Sequence, residues 1–83
     1  MDEPEFGKRP ITVAEVAKIY GKDPAWVRTG IVVGWLPIGR ATRHGQLITS
    51  LDAMDSRKGR INFYISPRKL WLDTGYVWKG EYE

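Results

Sequence analysis

Apolar positions recur every three or four residues through "TVAEVAKIY": Val13, Val16, Ala17 and Tyr20 share one face, which predicts an amphipathic helix. Thr12 and Glu15, three residues apart, supply the two halves of a capping box, and Ile11 is placed to staple onto Val16. Gly21 stands where a helix takes a left-handed closing residue. A second helix starts at once. Asp23 caps it, Pro24 takes the first helical position, where a missing N–H costs nothing, and Gly34 ends it. Val27, Gly30, Ile31 and Gly34 form its core stripe, leaving Ala25, Arg28, Thr29 and Val32 on the opposite face. Gly30 costs that helix roughly 1 kcal/mol relative to Ala, so its place points to close approach of another backbone. Helices joined by so short a turn cross steeply, as in a helix-turn-helix.

The period then changes from about 3.6 to two. In "WLPIGRATR", Pro37 ends the helical option, and Leu36 and Ile38 point to one side of an extended segment. In "RINFYIS", Ile61, Phe63 and Ile65 alternate with Asn62 and Tyr64, the clearest strand in the chain. The two segments are expected to pair as an antiparallel hairpin. Residues 44–59 lie between them, long for a hairpin tip. Leu47, Ile48, Leu51 and Met54 have the spacing of a helical turn or two capped at Ser50. Exposed, such a turn is a partner surface; folded back, it covers a small core. "SPRKLWLDTG" is a third helix, capped by Ser66, opened by Pro67, with Leu70 and Trp71 inward and Gly75 at its end. Tyr76 and Trp78 alternate in an extended tail laid on the body, where they and Tyr82 read as packing rather than base stacking. Residues 1–10, with Pro4, Gly7 and Pro10, read as a flexible arm. The expected fold class is therefore α+β: one winged helix-turn-helix domain over residues 11–83, with a β-hairpin wing, a long tip and a C-terminal helix.

Composition narrows the functional classes. With 42% hydrophobic and 28% charged residues the 83-residue chain is globular rather than disordered. It has no cysteine and a single histidine, His44, so neither a disulfide nor a metal site is expected. No apolar run reaches the length of a membrane span, and the polar, acidic start is unlike a signal peptide, so the expected location is cytoplasmic. The net charge of +3 is unevenly distributed: residues 24–69 carry eight basic and two acidic groups, while both flanks are net acidic. A basic middle suits a nucleic-acid-facing surface, although a solvated basic surface has the same composition. Catalysis finds no support: there is no paired carboxylate motif, no usable Ser-His arrangement and no glycine-rich phosphate loop. No cofactor is expected.

In "TVAEVAKIYGKDPAWVR", "GWLPIGRATR" and "GRINFYISPRKLWLDTG", the chain resembles the excisionase-like and MerR-like winged-helix DNA-binding proteins of phages and mobile elements. The matching positions are Thr12, Val13, Glu15, Val16 and Ala17 in the first helix, then Val27 and Arg28. Gly34, Leu36 and Pro37 follow at the exit, and Arg60, Tyr64, Ile65, Pro67 and Leu70 in the last strand and helix. The resemblance covers about residues 10–75 and implies sequence-specific binding of double-stranded DNA, as an excision directionality factor for an integrase or as a small transcription regulator.

The second helix would enter the major groove, where Arg28 can hold guanine O6/N7 bidentately, and Thr29 and Ala25 can touch a thymine methyl. Trp26, at its start, reads as a packing residue. The wing supplies Arg40, Arg43, Arg57, Lys58 and Arg60 for the backbone or minor groove, or as charge that solubilises an exposed tip. Arg68 and Lys69 oppose the dipole of the third helix and serve either a phosphate or the solvated surface. A monomer of this size spans one half-site, so a homodimer or cooperative array is expected. The alternative is a protein-interaction module on the same fold, docking a phage or host protein through the long wing.

Overall fold

A computed structural model of the chain describes residues 3–55, 57 and 59–80. It contains three helices, α1 (Val13–Tyr20), α2 (Pro24–Val33) and α3 (Pro67–Thr74). A three-stranded antiparallel sheet is built from β1 (Gly39–Arg43), β2 (Gln46–Leu47) and β3 (Asn62–Ile65), and a 3-10 turn spans Leu51–Met54. This is a small α+β fold.

The helices begin and end where local chemistry directs. The Thr12 hydroxyl accepts from the Glu15 N–H at 3.2 Å, and the Glu15 carboxylate accepts from the Thr12 N–H at 3.1 Å, completing the capping box. Ser66 does the same for α3, accepting from Lys69 N–H at 3.2 Å. Asp23 occupies the N-cap of α2 without a side-chain cap bond, so Pro24 and the tertiary contacts fix that start. All three helices close on left-handed glycines: Gly21, Gly34 and Gly75.

β1 lies in the middle of the sheet, in the order β2-β1-β3. Arg40 faces Tyr64 and Ala41 faces Phe63 across the β1–β3 pair. The expected pairing of residues 35–43 with 60–66 forms over Gly39–Thr42 and Asn62–Ile65, because regular strand starts only at Gly39, after a turn at Pro37–Ile38. The expected long hairpin tip does not form. The chain reverses within two residues, His44 (φ 51°) and Gly45 (φ 78°), between the paired Arg43 and Gln46. Both φ values are positive, the requirement of a type I′ turn, whose twist matches that of the strands it joins. Ile48 extends the ladder, donating its N–H to the Ala41 carbonyl at 2.9 Å. The remainder of the excursion folds back as the 3-10 turn against α2.

α1 packs on α2, and α2 on the inner face of β1. Ile38, Leu70, Val16 and Val27 are the largest fully buried side chains, each contributing roughly 1.5–3 kcal/mol of transfer free energy. Ile11, expected to staple onto Val16, is buried in the same core cluster. Ile48 is buried, and Ala53 and Met54 pack against the core, whereas Leu47 and Leu51 remain exposed. The apolar turn therefore divides: one side covers the core and the other faces solvent. Trp71 is half-buried, edge-on to Phe6 at 6.2 Å.

Residues 3–10 carry no helix or strand, as their prolines and glycine direct, yet they are held in place. The Gly7 N–H donates to the Trp78 carbonyl (2.8 Å), Arg9 N–H to the Gly80 carbonyl (3.2 Å), and the Trp78 indole Nε1–H to the Arg9 carbonyl (2.8 Å). The Arg9 guanidinium sits 4.7 Å from the Trp78 ring centroid and 2.9 Å from the Glu15 carboxylate. Trp78 is buried, so the tail packs into the body through it, whereas Tyr76, expected to pack beside it, is 43% exposed.

Candidate nucleic-acid interface

Arg28 projects from α2 into solvent, with no ion pair among the described residues. Ala25 is exposed beside it and Thr29 is half-buried. Val32, expected on the same open face, is buried instead. The 3-10 turn packs against α2, and its return to the helix could not be read from a periodicity within α2 itself. The open part of α2 is therefore its first two turns.

The wing residues separate into two groups. Arg43 is half-buried: its Nε donates to the Gly59 carbonyl at 3.3 Å and its Nη2 to the Asp55 carbonyl at 3.1 Å. Its guanidinium thus closes the loop that returns from the 3-10 turn. Arg57 pairs with Asp55 at 2.9 Å but keeps 89% of its side chain exposed. A surface pair of this kind is screened by solvent and exchanges readily for another anion. Lys58 lies outside the described residues, as does Tyr82. Arg40 and Arg60 are exposed. Arg40 stacks its guanidinium over the Tyr64 ring, 4.8 Å from the centroid, on the solvent side of the sheet. Helix and sheet cations accordingly belong to different layers: Arg28 to the helical layer, Arg40 to the far side of the sheet.

Two features escaped the sequence reading. The first is an aromatic stack at the α1–α2 junction: Tyr20 lies 5.6 Å from Trp26, and Trp26 lies 4.9 Å from Trp35 in an edge-on contact. Lys22 stands 5.7 Å from the Trp26 ring. The second joins α1 to α3, where the Tyr20 hydroxyl donates to the Asp73 carboxylate at 2.6 Å. Burial, and then that hydrogen bond, push the Tyr20 pKa well above its ordinary value. Glu15 is shifted the other way: its hydrogen bond to Arg9 outweighs the opposing effect of burial and holds its carboxyl below the usual range. The aromatic spacing was present in the sequence, but only the crossing of the helices brings the rings together. Arg68 pairs with Glu3 at 2.7 Å, which answers the unfavourable charge at the start of α3.

Among the described residues no group of three or more His, Asp or Glu side chains could hold a metal, and no helix is long and apolar enough to cross a membrane. A groove of about 200 Å³ between residues 7–11 and β3 is lined mainly by apolar atoms, with Lys8 and Arg9 as its charged residues. No protein-family model, curated protein or solved structure matches the chain.

Proposed function

We propose that the chain is a cytoplasmic duplex-DNA-binding protein of the excisionase-like or small-regulator kind, acting as a dimer or cooperative array. In this reading the fold is a winged helix-turn-helix. The first two turns of α2 enter the major groove, and the β1–β2 hairpin with the following loop contacts the flanking backbone. The observation that carries the reading is Arg28, exposed and without an ion pair among the described residues, on the second of two helices joined by Gly21, Lys22 and Asp23. A projecting two-residue hairpin beside exposed Arg57 supports it. With only Ala25, Arg28 and part of Thr29 free, base readout is narrow, so the wing has to supply much of the affinity.

Fluorescence anisotropy on duplexes selected from a random pool tests this. Binding should weaken with salt, on the order of 40-fold between about 50 and 200 mM if three phosphates are contacted. Arg28→Ala should cost about 1–3 kcal/mol at the preferred site and relax discrimination. Arg57→Gln with Lys58→Gln should weaken all sequences alike. Failure to bind any duplex at low salt rejects the reading. Exposed Leu47 and Leu51 on the same excursion favour a second one, in which the tip docks another protein. In that case Leu47→Ser with Leu51→Ser abolishes capture of the partner and leaves duplex affinity unchanged.

A further inference from the structure

The sheet has one face toward the helices and one toward water. Ala41, Phe63 and Ile65 turn inward. Directly opposed residues of an antiparallel pair share a face. The pairs Arg40↔Tyr64, Thr42↔Asn62 and Thr42↔Leu47 therefore place those five side chains together on the outer one. Arg60 is exposed two residues before Asn62, where the chain enters β3. None of these residues is acidic.

The distribution of partners sets this face apart. Of the seven arginines, Arg9, Arg57 and Arg68 pair with carboxylates, and Arg43 donates to two backbone carbonyls. Arg28, Arg40 and Arg60 have no carboxylate partner among the described residues, and two of these three belong to the outer face or its entrance. Tyr64 is 51% exposed there, contributing little to the core. The Arg40 guanidinium over its ring makes a flat, cationic surface, held in place by the cross-strand pairing.

We propose that this outer face binds single-stranded nucleic acid. Bases stack on the Arg40–Tyr64 platform, Asn62 and Thr42 meet base edges, and Arg60 meets a phosphate. Duplex bases have their faces covered by stacked neighbours, so a platform that works by stacking finds no surface on them. Unstacked bases present the π-surface that such a platform takes, with little dependence on sequence. The site is separate from α2, and it shares Arg40 and Arg60 with the wing of the duplex reading.

The test is anisotropy of the full chain at about 50 mM salt with labelled oligo(dT), oligo(rU) and a mixed-sequence duplex, each about 15 nucleotides long. Single strands should bind, and the two oligomers distinguish DNA from RNA through contact with the 2′-hydroxyl. Tyr64→Ser should lower single-strand affinity about fivefold or more, and Tyr64→Phe should retain it. Arg40→Gln with Arg60→Gln should lower it about tenfold and flatten its salt dependence. Thermal melts verify that each variant is folded. Arg28→Ala should leave single-strand binding unchanged. A parent chain that binds single strands and no duplex counts against the α2 reading and for this one. The platform is overturned if single strands do not bind, if folded Tyr64→Ser binds as well as the parent, or if the Arg40/Arg60 variant loses duplex and single strand equally.

Discussion

Gly30 directs the path of the chain out of α2. Both the Gly34 and the Leu36 N–H groups donate to its carbonyl, at 2.9 and 3.0 Å, so the chain doubles back over the helix end. A Cβ at Gly30 would lie 2.7 Å from the Leu36 Cβ and 2.7 Å from the Trp35 ring. Two effects of Gly30→Ala oppose each other. Helix propensity favours Ala by about 1 kcal/mol. Overpacking against a backbone-anchored Cβ and a ring already stacked on Trp26 costs about 1–3 kcal/mol. Overpacking prevails, and the variant should be destabilised by about 1 kcal/mol in urea unfolding; a gain in stability would show that Trp35 swings away freely. The glycine was legible in the sequence as a close approach, but its partner was not. The approaching group is the Leu36 and Trp35 side chains, set by a turn whose geometry depends on the sheet beyond it.

At the level of elements, capping chemistry made the helices legible, because Thr12, Glu15, Ser66 and Pro67 act within a few residues of themselves. The strand pair was legible for the same kind of reason, through the alternation of Ile61, Phe63 and Ile65. The β1–β2 hairpin was not. His-Gly is a weaker turn signal than Asn-Gly, and β2 has two residues, both exposed, so no alternation marks it. His44 occupies a left-handed position at a cost that Asn tolerates better. His44→Asn should therefore raise stability by about 0.5–1 kcal/mol, read as a higher melting temperature. A drop in stability would mean that the His44 ring makes a contact that offsets its backbone strain.

Across the whole molecule, Tyr20 ties the end of α1 to Asp73 near the end of α3. Its pKa is raised in the folded state, so the protonated phenol is favoured by folding. The resulting stability is present below the ordinary tyrosine pKa of 10.0 and is lost progressively as pH rises above it. Urea midpoints should fall between about pH 10 and 11.5 in the parent, and fall less in Tyr20→Phe, which carries no titrating phenol. Equal slopes would show that other groups govern the alkaline loss. Glu15 acts at the opposite end of the scale: with its pKa lowered, its contribution holds above the carboxylate range and is lost in acid. Such long-range ties, like the Gly7–Trp78 and Arg9–Gly80 hydrogen bonds, join residues far apart in the chain and leave no trace in local sequence patterns.

Those terminal hydrogen bonds also bear on connectivity. Gly7 approaches Gly80 so closely that a Cβ at Gly7 would overlap the Gly80 carbonyl. The two ends of the described chain thus meet as a seam, and the exposed His44–Gly45 turn lies between two strands at the sheet's far hairpin. Joining the ends with a short flexible linker and opening the chain at that turn would yield a circular permutant with the core, helices and β1–β3 pair intact. The order in which the segments are synthesised would change, while the packing that defines the fold would not.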